Sequence, residues 1–77
     1  MDLADTWIMS VAKIIEIVGS SEVGWEDAAQ KAVDEAKKTI RGIHGLEIVD
    51  MTASVDKESS KIKKFKSAVK IAFSVED

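Results

Sequence analysis

The run Val11-Ala12-Lys13-Ile14-Ile15-Glu16-Ile17-Val18, closed by Gly19-Ser20-Ser21, decides the fold. It is dense in β-branched residues and stops at a cluster of turn formers, so it predicts a first strand. Val11, Lys13, Ile15 and Ile17 form one face and Ala12, Ile14, Glu16 and Val18 the other. Each face carries apolar side chains and one charge, so both expect partial cover. Downstream, Ser20 or Ser21 can accept the orphan amides of a helix start, and Glu22, Glu26 and Asp27 suit its positive end. Trp25, Ala28, Ala29, Ala32, Val33, Ala36 and Ile40 recur at three- and four-residue spacing, which predicts an amphipathic helix ended by Gly42. Lys37, Lys38 and Arg41 complement its negative end. The small alanines let it lie close to a sheet.

Leu46 to Val55 reads as a second strand, and Asp56 to Ser60 as a polar turn. The last strand has the clearest alternation: Phe65, Ser67, Val69, Ile71, Phe73 and Val75 face one way, Lys64, Lys66, Ala68, Lys70, Ala72 and Ser74 the other. The expectation is an α+β chain, β-α-β-β, with a three-stranded antiparallel sheet packed on one helix. One helix leaves a sheet face bare and strand edges open, which favours self-association.

At 77 residues, without cysteine or proline, the chain affords one small domain with no disulfide staple. Eleven Lys and Arg against fourteen Asp and Glu give a net charge of −3, which lacks the positive field of a nucleic-acid binder. No apolar run approaches the roughly 20 residues that span a bilayer, and the acidic start is unlike a signal peptide, so a cytoplasmic location is expected. Met9 directly precedes the first strand pattern, which marks residues 1–9 as an N-terminal extension, with Trp7 and Ile8 either docked or frayed.

Catalytic chemistry has little to stand on. His44 is the sole histidine and sits beside Gly45 in an expected helix-to-strand loop, with no G-x-S-x-G elbow in the chain. An enzyme would have to use His44 with Glu47 or Asp50 as an acid-base pair. Gly19-Ser20-Ser21 has strand-to-helix geometry but belongs to no phosphate-loop motif. Lys61, Lys63, Lys64, Lys66 and Lys70 form either a solvated, ion-paired face or a seat for a phosphate or acidic partner. On a regular strand Glu47 and Asp50 lie on opposite faces and cannot pair within one chain. Repetition around a symmetry axis would instead make rings of carboxylates suited to calcium or magnesium, with Glu47 and Asp50 as first candidates and Glu16 next. Ion pairs with Lys13, Lys64 or Lys66 are the competing use of these carboxylates.

The segment KIIEIVGSSEVGWEDAAQKAVDEAKKTI, then LEIVD, then FKSAVKIAFSVED resembles the dodecins, small proteins that assemble into hollow homododecamers and commonly bind flavins. The resemblance covers Val11 to Asp77 and implies a domain over residues 10–77 that binds or stores a ligand and is not an enzyme. In flavin-binding members a tryptophan stacks on the ring and a glutamine in the last strand hydrogen-bonds to it. The matching positions here are Gly45 and Lys66, while Asp50 matches an aspartate set near the ligand. This double departure resembles the branch that lacks the stacking tryptophan and is associated with calcium. The resemblance therefore implies a degraded flavin site and a calcium-binding homododecamer, with a carrier of riboflavin or FMN as the alternative.

Overall fold

A computed structural model of the chain describes residues 11–75. The expected extension over residues 1–9, with Trp7 and Ile8, lies outside the described residues. The order is β1 (Ala12–Ser21), α1 (Trp25–Ala36), β2 (Ile43–Val55) and β3 (Ile62–Ser74), with all pairing antiparallel. The sheet order is β1-β3-β2, so the strand with the strongest alternation is the central one. It supplies the buried wall of the core: Ser67, Val69 and Ile71 are fully buried, while Lys64, Lys66 and Lys70 stand exposed on the other side.

The helix packs its alanine stripe, Ala28, Ala29, Ala32 and Ala36, over β1 and β3. Close approach is enforced at Gly19, whose hydrogen faces the backbone of Ala28. The core is correspondingly thin. Val69 and Ile71 are its only fully buried large apolar side chains among the described residues, each contributing about 1.5–3 kcal/mol. Reach is also unequal, because a 12-residue helix is about 18 Å long. The 13-residue strands β2 and β3 extend about 43 Å. The helix packs over β1 and β3 and leaves β2 to one side, so Leu46, Ile48 and Met51 on the helix side of β2 stay exposed, and Ile14 (60%) and Val18 (63%) are exposed on the opposite face of β1. The expected bare face is present, and the helix side is itself covered only in part.

Several local expectations are corrected. Gly19-Ser20-Ser21 does not end β1; the strand runs through Ser21, paired with Phe65. Neither serine caps the helix by its side chain, and Gly24 occupies the N-cap. The buried Ser21 hydroxyl instead accepts from the amides of Val23 (2.8 Å) and Gly24 (3.4 Å) and donates to Asp27 (2.6 Å), bending the chain between strand and helix. The helix stops at Ala36, four residues short of Ile40, and a turn follows. Gly42 then takes φ +77° with its carbonyl accepting from the Ser74 amide at 3.0 Å, a left-handed conformation that favours glycine. Because that turn is tight, β2 begins at Ile43 rather than Leu46, and His44 and Gly45 lie in the strand rather than a loop. Trp25, expected in the core, is half-buried at the first helical position. Its ring meets Phe65 edge-on at 4.8 Å and its indole N–H donates to the Thr52 carbonyl at 2.9 Å.

The β2–β3 turn is held by Asp56, whose carboxylate accepts from the amides of Ser59 (2.9 Å) and Glu58 (3.2 Å). Hydrogen bonds from the Ser59 amide and hydroxyl, then the Glu58 amide, lower its pKa below the ordinary 3.8. A depressed folded-state pKa contributes stability that is present above the unfolded value and is lost as pH falls through the folded one. The gap in melting temperature between wild type and Asp56→Ala is thus expected to be constant above pH 3.8 and to close below it. Melts across that range check this, and a gap indifferent to acid would assign the turn to other contacts.

Candidate functional site

The face of the sheet turned away from α1 gathers the candidate cation ligands and the positions matched to the flavin site. Cross-strand pairing sets Glu16 and Glu47 opposite Lys70, from β1 and β2 respectively. Gly45 lies opposite Ala72, Asp50 opposite Ala68, and Lys66 between Ser20 and Thr52. Even-numbered residues of β3 share this face, so their direct partners share it too. All five candidates, Glu16, Gly45, Glu47, Asp50 and Lys66, are exposed.

The separation expected for Glu47 and Asp50 is overturned here. The register slips between Ile48 and Asp50, leaving Val49 as an extra residue, and the slip restores Asp50 to the face that holds Glu47. Their partners on β3 are two residues apart, which places the two α-carbons about 7 Å apart along the strand. A pattern of pure alternation carries no mark of this bulge. The counter-charge is also not the one expected. Lys70, rather than Lys13, Lys64 or Lys66, lies between Glu16 and Glu47. Two carboxylates flank one ammonium, and Asp50 adds a third, so this stretch of the face keeps a net negative charge. Among the described residues, ion pairs closer than 4 Å are confined to the helix and its end: Lys31–Asp27, Lys37–Asp34 and Lys38–Glu35. No cluster of three or more metal-ligating side chains occurs within the described part of a single chain.

Gly45 and Lys66, the positions matched to flavin contacts, lie far apart within one chain. Their register positions on β3, Ala72 and Lys66, are six residues or about 20 Å apart. A flavin head cannot touch both, so a site using the two positions would be built by two subunits. His44 occupies the slip between Ile43 and Gly45 and is exposed, and no hydrogen bond among the described residues ties it to Glu47 or Asp50.

The dodecin family profile matches residues 11–76, all but the first ten residues and the last of the chain. The chain belongs to the dodecin family. Among relatives, the calcium dodecin of Mycobacterium tuberculosis is 38% identical over 48 residues, which are 62% of this chain and 68% of that protein. A dodecin of Thermus thermophilus is 30% identical over 67 residues, 87% of this chain and 94% of its own. The crystal structure of a single-site mutant of the T. thermophilus dodecin superposes with a TM-score of 0.80 over 87% of this chain and 97% of its own, at 30% identity. The calcium dodecin of M. tuberculosis, described as calcium chelating with a novel calcium-binding site, superposes at 0.72 over 86% and 91%, at 29% identity. The β-α-β-β dodecin fold is thus common to all of them. Among the described residues, no helix is long and apolar enough to cross a membrane.

Proposed function

We propose that this dodecin is a non-enzymatic homododecameric binding protein that holds a divalent cation, calcium before magnesium, and has lost its flavin site. Residues 10–77 form the binding domain and residues 1–9 an extension of it. The observation that carries the reading is the bulge at Val49, which sets Glu47 and Asp50 side by side on the face that also bears Glu16. Three exposed carboxylates share that stretch with Lys70 alone, and symmetry repeats the excess negative charge in each subunit. A hard cation with six to eight oxygen ligands relieves such repulsion, and carboxylates from adjoining chains supply ligands that one chain lacks. Likeness to a relative named calcium dodecin supports the same choice. Assembly is favoured by the thin core and by the apolar side chains left bare on both faces. Loss of flavin follows from Gly45, which offers no stacking face, and Lys66, which has no acceptor for a ring N–H.

One experiment tests assembly and ligand together: sedimentation and thermal melting of the purified protein with calcium and with chelator. A particle of about twelve chains is expected, more stable with calcium. At a concentration 100 times the Kd the gain is about 2.7 kcal/mol per site. Glu47→Gln combined with Asp50→Asn should erase that gain without breaking the particle. An unchanged melt with no heat of calcium binding would instead give the carboxylates to Lys70 as structural ion pairs, and a monomer would remove the basis for the site.

A further inference from the structure

The same sheet face is polarised along its length. Beyond the acidic stretch, toward the β2–β3 turn, it carries lysines and hydroxyls. Ser20, Lys66 and Thr52 form one cross-strand row and Lys64 and Ser54 the next. A further slip, between Ser54 and Val55, leaves Lys63 as the extra residue on β3. Bulges re-aim side chains, and this one brings Lys63 over the same cavity as its neighbour Lys64. That cavity, about 710 Å³, is lined by Ser20, Glu22, Ser54, Lys63, Lys64 and Lys66. Its volume is within the ordinary range for small-molecule sites, roughly 300–1,000 Å³. Three lysines against Glu22 leave two positive charges, and no carboxylate of the described residues comes within 4 Å of those ammonium groups. The helix lysines, by contrast, are engaged by Asp27, Asp34 and Glu35.

We propose that this cavity is an oxyanion site for the phosphate group of a small molecule, separate from the cation-binding stretch. Lys63, Lys64 and Lys66 supply charge, and the hydroxyls of Ser20 and Ser54 supply short donors on either side of β3. Ammonium groups on flexible stems bind a phosphate as point charges, while hydroxyls from the flanking strands fix its position. Glu22 also lines the cavity and offsets one of the three lysine charges. The arrangement does not depend on calcium, since its residues are distinct from Glu16, Glu47 and Asp50.

Inorganic phosphate is the probe, titrated by calorimetry into the intact assembly at low ionic strength, about 50 mM. Saturable binding of one anion per chain is expected, weakening steeply with salt. Lys63→Gln with Lys64→Gln should weaken it about tenfold through the loss of charge-assisted hydrogen bonds. Lys63→Arg with Lys64→Arg should retain it. Lys37→Gln with Lys38→Gln, which removes the same charge from the helix end, should leave affinity within about twofold, because exposed distant charges are screened. Absence of saturable binding would overturn the proposal. Equal weakening by the two glutamine pairs would overturn it as well, since net charge alone would then account for binding. Dissociation of the particle by the Lys63 and Lys64 glutamine pair would also overturn it, assigning these lysines to carboxylates of a neighbouring subunit.

Discussion

Gly19→Ala is expected to push α1 off the sheet and to destabilise the chain by about 3 kcal/mol or more. A Cβ at this position would overlap the carbonyl oxygen of Ala28, with the Ala28 carbonyl carbon at 3.0 Å and the Ala32 Cβ at 3.2 Å. The first two atoms are backbone, so no rotamer change relieves the contact; the helix must move off the sheet. Separating it uncovers Val69 and Ile71 and the alanine stripe, which together are most of the core. Overpacking usually costs about 1–3 kcal/mol, and displacing a whole helix lies at or beyond the top of that range. Against a domain stability of about 5–15 kcal/mol and a core this thin, the loss is large. Circular dichroism melts check it, with Gly45→Ala as control: Gly45 is exposed and a Cβ there meets nothing within 4 Å. A Gly19→Ala protein that melts like wild type would mean that the helix rides higher than described.

Flavin binding is expected to be weak or absent in the wild type and to be gained by Gly45→Trp with Lys66→Gln. Space is available, since a Cβ at Gly45 meets nothing within 4 Å and the residue is exposed on an open strand. Stacking on the new ring contributes about 0.5–1.5 kcal/mol beyond area burial, and glutamine restores an acceptor for the ring N–H. A gain of tenfold or more in affinity for riboflavin or FMN is expected from stacking plus the burial that accompanies it. Because the two positions are about 20 Å apart along β3, the gain should need the assembled particle and vanish when subunits are dissociated. Quenching of flavin fluorescence measures it. Strong quenching by wild type at submicromolar flavin would favour the flavin-carrier alternative, and no gain in the double variant would mean that further contacts have been lost.

Much of the candidate site could be named without coordinates because its residues are unusual for their pattern. Glu16 interrupts an apolar strand, Lys66 and Lys70 alternate with buried residues, and Gly45 and Lys66 stand where the resemblance predicts an aromatic and an amide. What stayed hidden was their grouping. Glu47 and Asp50 have the spacing of opposite faces, and only the slip at Val49 puts them together. Lys63 and Lys64 are adjacent in sequence and would point apart on a regular strand, yet a second slip turns both to one cavity. Lys70 could not be recognised as the partner of Glu16 and Glu47 before β3 was known to be the central strand.

By itself the sequence determined the order of elements, the alanine stripe, the alternation of β3 and the need for further cover, because hydrophobic period and turn chemistry are local properties of the chain. The backbone path was only partly local. The strand continues through Gly19-Ser20-Ser21 because Gly19 and Ser21 find partners on β3, and the buried Ser21 hydroxyl serves the amides of the bend instead of capping the helix. Trp25 sits at the edge rather than in the core because its indole N–H reaches the Thr52 carbonyl across the sheet, a bond between residues 27 apart in sequence. Tertiary structure alone decided which charges meet. Strand register is set by long-range pairing and by bulges, and a one-residue slip sends every following side chain to the other face.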